Sequence, residues 1–390
     1  MLRNFVICCD GTNNQFGPEN TNIVRLIQVL EREPAQQRLY YDPGVGTLPE
    51  PGVTTRLGKR LSAWFGLAFG TGLTWKVQEA YTYLMDFWEP GDHVFLFGFS
   101  PGAYTVRVLA GLLHALGLMP RGNQNLVPYV MRLFNAVRQE GTHEESDDRL
   151  SYWELCREFR WTFARPVPGG DDDRRFRVHF LGVWDTVSSV GWVWDPLKFP
   201  YTMHNPSIEI IRHAVSVDER RWFFRQNLME PQGGQDFQEL WFPGVHADVG
   251  GGYPERDGGL WRMPFAWIVG EAEKAGLVVD PQRLQAVLQR TPPSPHPWTE
   301  PQHESLTPLW WPAEFFPKLQ WRPGSARRVP QIGLGRHRYI KDQALLHKST
   351  LLRIRETSYA PPNFSQGFLE KIRRLQDVPE TLPFERGGMA

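Results

Sequence analysis

Residues 92–107 read DHVFLFGFSPGAYTVR, and the reading of this stretch decides the fold. Val94 to Phe97 is a short apolar run rich in β-formers, entered through the turn pair Pro90-Gly91, so it reads as a buried strand. Gly98-Phe99-Ser100-Pro101-Gly102 follows at once, and Ala103 to Ala110 reads as a helix. Strand, Gly-x-Ser-x-Gly and helix in succession are the setting in which a serine is carried on a sharp turn with its hydroxyl presented at the edge of a sheet. Glycines suit both flanks because such a turn leaves no room for side chains beside the serine. Ser100 is therefore the first candidate nucleophile, against the plainer reading of an ordinary strand-to-helix turn.

Upstream, Asn4 to Cys9 is a first strand that runs into Asp10-Gly11-Thr12-Asn13-Asn14, a turn dense in side chains that bend and cap backbone. Asn22 to Glu31 has helical spacing, Arg38 to Tyr41 is a second strand, and Leu73 to Trp88 a second helix. Alternating strands and helices argue for an α/β protein with a mainly parallel sheet covered on both faces. Downstream, Leu126 to Arg138 and Tyr152 to Phe163 read as helices within an insertion at about 120–173, and Arg177 to Val183 returns as a strand. Ser207 to Val217 reads as a helix started by Asn205-Pro206, Glu239 to Phe242 as a strand, Pro264 to Ala275 as a helix, and Gln343 to Glu356 as a last helix. Residues 292–323 are rich in Pro and Trp without a period and read as a long loop. The expected organisation is one α/β-hydrolase-like domain over 1–360, followed by a polar tail at 361–390.

Composition excludes several classes. Lys plus Arg and Asp plus Glu are both 43 in 390 residues, so no bulk field attracts nucleic acid. Three cysteines, two of them adjacent in a strand, fit a reducing compartment without structural disulfides. The N-terminus shows no Sec-type signal, which points to the cytoplasm or to export by another route. Nothing in the pattern calls for a metal or cofactor.

Ligands of open α/β sheets bind at the carboxyl ends of the strands, where Asp10, Ser100, Asp185 and His246 fall. A serine needs a base, and the base an orienting carboxylate. The order Ser100, Asp185, His246 is that of the α/β-hydrolase triad. Asp185 also reads as a turn cap, and His246 as a structural histidine. His347 is a rival base, His179 alternates inside a strand, and Asp248 is placed to orient the loop. Asp10-Gly11-Thr12 is similar to the Asp-x-Asp-Gly-Thr of haloacid dehalogenase-type phosphatases, but Cys8 stands at the nucleophile position of that motif.

CDGTNN at 9–14, YYDPGVGT at 40–47, the run 70–107, LGVWDTV at 181–187, AVSVDERR at 214–221 and FPGVHADVGGGY at 242–253 occur in that order. Together they resemble the α/β-hydrolase-domain family that includes the type VI secretion phospholipase effectors, over residues 3–360. The resemblance implies a serine hydrolase acting on ester bonds of lipids or phospholipids. Ser100 would be nucleophile, Asp185 acid and His246 base, with Gly11, Thr12 and Gly102 supplying oxyanion amides. The family's elbow usually reads Gly-Phe-Ser-Arg-Gly, and here Pro101 replaces the arginine. Proline has no N–H to give to an oxyanion. A weakened member that binds lipid as an interaction module is the second reading. Trp64, Phe65, Trp310 and Trp311 are expected to border the site as a lid or membrane-docking rim, since tryptophan suits a surface half apolar and half wet. The expected partners are a lipid or small ester and a peripheral membrane surface.

Overall fold

The computed structural model describes residues 3–11, 17, 19–44, 68–136, 151–167, 174–187, 191–192, 195–196, 199–289, 296–321 and 328–386. Its centre is an eight-stranded sheet of β1 (Asn4–Cys9), β2 (Gln37–Asp42), β3 (His93–Phe99), β4 (Val178–Trp184), β5 (Ile208–Ser216), β6 (Asp236–Phe242), β7 (Leu345–His347) and β8 (Thr381–Pro383). The spatial order is β8-β7-β6-β5-β4-β3-β1-β2. Every neighbouring pair is parallel except β7 with β8. From β1 the chain steps outward to β2 and then returns on the other side of β1 as β3. The order therefore reverses between β1 and β3, which is where open α/β sheets hold their ligands.

Both faces of the sheet are covered, as the unbroken apolar strands require. Phe5, Ile7 and Cys9 of β1 join one core with the helices α2 (Ala68–Phe87), α3 (Pro101–Leu116), α4 (Val127–Asn135) and α5 (Tyr152–Phe163). Val6 and Cys8 point the other way, into a core with α1 (Asn22–Val29). Two later helices complete that side: α7 (Arg262–Lys274) and α8 (Pro281–Leu288), after the short α6 (His246–Gly250). The three cysteines are buried and stand as thiols rather than disulfides. None of the described helices is long and apolar enough to cross a membrane.

Three expectations are corrected. Residues 207–217 are not a helix: Ile208–Ser216 is β5, held between β4 and β6 in the sheet interior. A strand buried on both faces loses its alternation, so its apolar spacing mimics a helix. Its polar members are paired, Arg212 reaching Glu271 at 2.7 Å and Asp236 at 2.8 Å. The Asn205 side chain does not cap a helix but takes the Ser207 N–H at 3.0 Å, turning the chain into the strand. The helix expected over 343–356 begins only at Lys348, as α9 (Lys348–Glu356), because Leu345–His347 pairs with β6. The supposed polar tail carries α10 (Gln366–Arg373) and the edge strand β8. Phe368, Ile372 and Phe384 bury against Trp241 and Leu346, each contributing about 1.5–3 kcal/mol. Within 292–323 the chain forms the single turns Pro297–Thr299, Pro308–Trp310 and Trp311–Glu314 and a short strand, Lys318–Trp321.

Candidate active site

Ser100 stands between β3 and α3 with φ 58° and ψ −126°, a backbone conformation that non-glycine residues rarely adopt. Holding it there costs on the order of 1–3 kcal/mol. The two glycines beside it meet a steric demand. A Cβ on Gly98 would lie 2.5 Å from the Ala103 Cα, and one on Gly102 would lie 2.2 Å from the Cys9 carbonyl oxygen. The turn thus presses the start of α3 against the end of β1 and holds the serine at the switch point.

Asp185 follows β4 and is also at positive φ, 39°. Its turn is pinned by the amide of Thr186, which donates to His213 Nε2 at 3.3 Å, while His213 Nδ1 faces Glu239 at 2.8 Å. His246 opens α6, reached through Gly244 at φ 105°. The Phe99 ring stacks on its imidazole at 4.7 Å and the Phe224 edge meets it at 4.9 Å. Glu219 accepts its backbone N–H at 3.2 Å. Asp248 does orient this loop, accepting the Val245 amide at 3.0 Å and lying 2.7 Å from His303 Nδ1.

These three side chains form one line. His246 Nδ1 lies 2.5 Å from Asp185 Oδ2, and His246 Nε2 lies 2.7 Å from Ser100 Oγ. A carboxylate only accepts, so Nδ1 carries the proton and Nε2 is left to accept the serine hydroxyl. All three are buried, Asp185 completely. Burial lowers the proton affinity of His246 below the usual imidazole range, against the opposing pull of Asp185. Burial alone would raise the Asp185 carboxyl, but Arg338 and His246 outweigh it and hold it well below the usual range. A neutral imidazole between a hydroxyl and a fixed carboxylate can take a proton from the hydroxyl and return it to a leaving group.

Other expected residues fall differently. Gly11 donates its amide to the Asp10 carboxylate at 2.7 Å, so that donor is already engaged. Gly102 occupies the first turn of α3 behind Pro101. Thr12, Trp64 and Phe65 lie outside the described residues. Trp310 meets the Phe224 ring edge-on at 5.5 Å, one ring removed from His246, and Trp311 is half-exposed. His347 is distant in role: it stacks on Phe242 at 4.4 Å and accepts the Ser349 amide at 3.1 Å. His179 binds Glu209 at 2.8 Å and the Ala275 carbonyl at 2.9 Å.

Sequence reasoning missed two charged groups. The Arg338 guanidinium forks onto Asp185, Nη1 to Oδ1 at 2.5 Å and Nη2 to Oδ2 at 2.9 Å. It also reaches the Ser216 hydroxyl at 2.7 Å and the Phe224 carbonyl. No motif surrounds Arg338 in the sequence, and 153 positions separate it from Asp185. Glu219 pairs with Arg221 at 2.9 Å, an ion pair inside the AVSVDERR block that spacing alone does not reveal. Burial would raise the Glu219 carboxyl, but Arg221 overrides it and brings it down to about 2.

A reversing, mainly parallel sheet with its polar residues gathered at the carboxyl edge of the switch point places the chain in the α/β class. Residues 3–271 match the type VI secretion system Tle1-like phospholipase effector catalytic domain, and the chain belongs to that family. It is 35% identical over 236 residues to an uncharacterized protein of Saccharomyces cerevisiae, an alignment covering 59% of this chain and 33% of the yeast protein. The chain thus spans about a third of that relative. Among solved structures it is similar to an uncharacterized protein from Pseudomonas aeruginosa, at TM-score 0.41 and 18% identity, over 72% of this chain and 47% of that one. It is also similar to the Tle1 effector bound to the VgrG spike of a type VI secretion system, at TM-score 0.33 and 19% identity, over 65% and 52% of the two chains.

Proposed function

We propose that the protein is a serine ester hydrolase acting on lipid or phospholipid esters, with Ser100 as nucleophile, His246 as general base and Asp185 as the acid that holds it. The observation that carries this is the hydrogen-bonded line from Ser100 Oγ through His246 to Asp185, set on a strained turn at the switch point. Ser100 Oγ attacks the ester carbonyl while its proton passes to His246 Nε2. The tetrahedral intermediate collapses to an acyl-enzyme, and the departing alcohol takes that proton. Water then repeats the cycle on the acyl-serine, returning free acid and enzyme. Asp185 stays ionised throughout and stabilises the imidazolium. Purified protein assayed on a panel of soluble esters and phospholipids, beside Ser100→Ala, tests the assignment. Release of fatty acid by the parent alone supports it, and equal release by the variant refutes it. Export by a type VI apparatus is the corresponding proposal for its destination.

The oxyanion is the demanding part of this site. Pro101 supplies no N–H and Gly11 is bonded to Asp10, so among the described members of the expected set the Gly102 amide at the start of α3 is the candidate donor. One missing donor typically costs about 10²–10³ in turnover. Since Pro101 is buried, alanine is the cleanest replacement. Pro101→Ala is expected to raise kcat on a simple ester more than about tenfold with little change in KM, on that same scale of donor effects. A change below about threefold would mean that other amides already complete the hole. The missing N–H also favours the second reading, a weakened member that binds lipid. That reading requires the parent to bind vesicles while a serine-directed probe fails to label Ser100.

Beside the site, Trp310 leans on Phe224 and the chain then exposes Trp311, Phe315 and Phe316. Large apolar side chains exposed together mark a contact surface, here read as the rim that meets lipid. Trp310→Ser with Trp311→Ser is expected to weaken binding to phospholipid vesicles several-fold and leave hydrolysis of a short soluble ester unaltered. Unchanged vesicle binding would contradict the rim.

A further inference from the structure

The Arg338 fork on Asp185 is not needed to satisfy the carboxylate. Asp185 already accepts the Ser216 amide at 2.9 Å, the Ser216 hydroxyl at 3.1 Å and the imidazole at 2.5 Å. Nor is it easily explained by stability. A buried ion pair often does no better than apolar groups of the same volume, because two charges must leave water. Arg338 is 1% exposed and its Nε is buried with no hydrogen-bond partner among the described residues, a cost set against keeping a cation here. Arg338 also lies beyond residues 3–271, the part that matches the catalytic-domain family. The C-terminal part of the chain thus places a fixed positive charge against the proposed acid.

We propose that Arg338 is a positioning residue for the reaction at Ser100: it locks the Asp185 carboxylate against His246 and offsets its charge, and thereby lets the site work at lower pH. The proposal rests on the assignment of Ser100, His246 and Asp185 as the reacting line.

The charges facing His246 come from three elements. Asp185 lies at the end of β4 and holds Nδ1. Glu219, in the segment after β5, accepts the His246 backbone N–H and is itself paired with Arg221. Arg338 stands behind Asp185. Two carboxylates and two guanidiniums leave no net charge around the imidazole, so burial dominates and His246 stays neutral below the usual imidazole range. Removing Arg338 leaves the Asp185 charge uncompensated, which favours the imidazolium. The acid limb of kcat/KM, which reports the base in the free enzyme, then moves to higher pH.

The test is the pH profile of kcat/KM on a soluble ester for the parent, Arg338→Met and Arg338→Lys, with melting temperature and labelling of Ser100 by a fluorophosphonate probe measured on each. Arg338→Met is expected to move the acid limb upward by about one unit or more, the scale of a single near charge. Arg338→Lys keeps the charge and loses the fork, so its limb is expected to stay with the parent's while kcat falls severalfold. If both variants keep the parent's limb and kcat, Arg338 is only structural and the proposal fails. If Arg338→Met does not fold, Arg338→Lys alone decides: a lowered kcat with an unmoved limb supports the proposal, and an unchanged kcat overturns it. Probe labelling of the parent that is lost in Ser100→Ala separates these outcomes from failure of the serine assignment itself.

Discussion

Ser100→Ala is expected to remove essentially all turnover on esters, and His246→Ala to do the same, with the double variant no worse than either alone. On the proposed assignment the hydroxyl and the imidazole, 2.7 Å apart, act as one device: without Nε2 the serine keeps its proton, and without Oγ there is nothing to acylate. Where such residues act as a unit, each single loss costs about 10⁶ in kcat and the losses do not add. Residual hydrolysis would come only from binding and the oxyanion amides. The control is His347→Ala, which should keep nearly full activity. His347 is buried against Phe242, and burial pushes its imidazole down to about 4. It is therefore neutral at ordinary pH and bonded to the Ser349 amide rather than to any group of the site. The comparison is read from kcat on one soluble ester for the parent and the four variants. Activity that survives in His246→Ala and is lost in His347→Ala would reverse the assignment.

Asp185→Asn is expected to cost both activity and stability. The carboxylate sits among donors only: the Ser216 amide and hydroxyl, both Arg338 nitrogens and His246 Nδ1. An asparagine brings an NH₂ group, which finds an acceptor there only if the Ser216 hydroxyl or the imidazole gives up its present donor role. Turned toward His246, it forces the imidazole into the tautomer that cannot accept the serine proton, a fault worth about 10⁴ in kcat in a serine protease. Turned toward Arg338, it confronts a buried cation with a donor. Either way Arg338 loses its counter-charge in the interior, and breaking a buried pair costs about 3–5 kcal/mol. A lowered melting temperature together with a loss of about 10⁴ in turnover is the expected result. Parent-like stability would mean that Arg338 finds another partner, and parent-like turnover would remove Asp185 from the mechanism.

The sequence was most legible where local chemistry and packing agree. Val94 to Phe97 is apolar throughout because β3 is buried on both faces, and the Gly98–Gly102 turn announces itself through two glycines that the backbone contacts demand. The alternation of β1, β2 and β3 with helices was readable for the same reason. It failed at β5, where Ile208, Ile210 and Ile211 lie in a strand covered on both sides and the period of two disappears. It failed again past Pro362, where α10 and β8 are stabilised by Trp241 and Leu346 rather than by their own polar sequence. Ser100, Asp185 and His246 could be listed because each ends a strand or opens the loop after one. Arg338 could not, since its meaning arises only when the chain folds back across 153 residues. The bonding of the amides expected to bind the oxyanion was not foreseeable either. That Gly11 gives its N–H to Asp10 is a fact of side-chain geometry that no spacing reveals.

The central claim, that Ser100 is acylated during turnover, is tested most directly by trapping the intermediate. The protein is mixed with a slowly deacylating ester, quenched in acid and mapped peptide by peptide by mass spectrometry. The account predicts one acyl group, on the peptide containing Ser100, that forms faster than turnover and is absent from Ser100→Ala. Hydrolysis that proceeds with no adduct on that peptide, at a rate the substitution leaves unchanged, would contradict it.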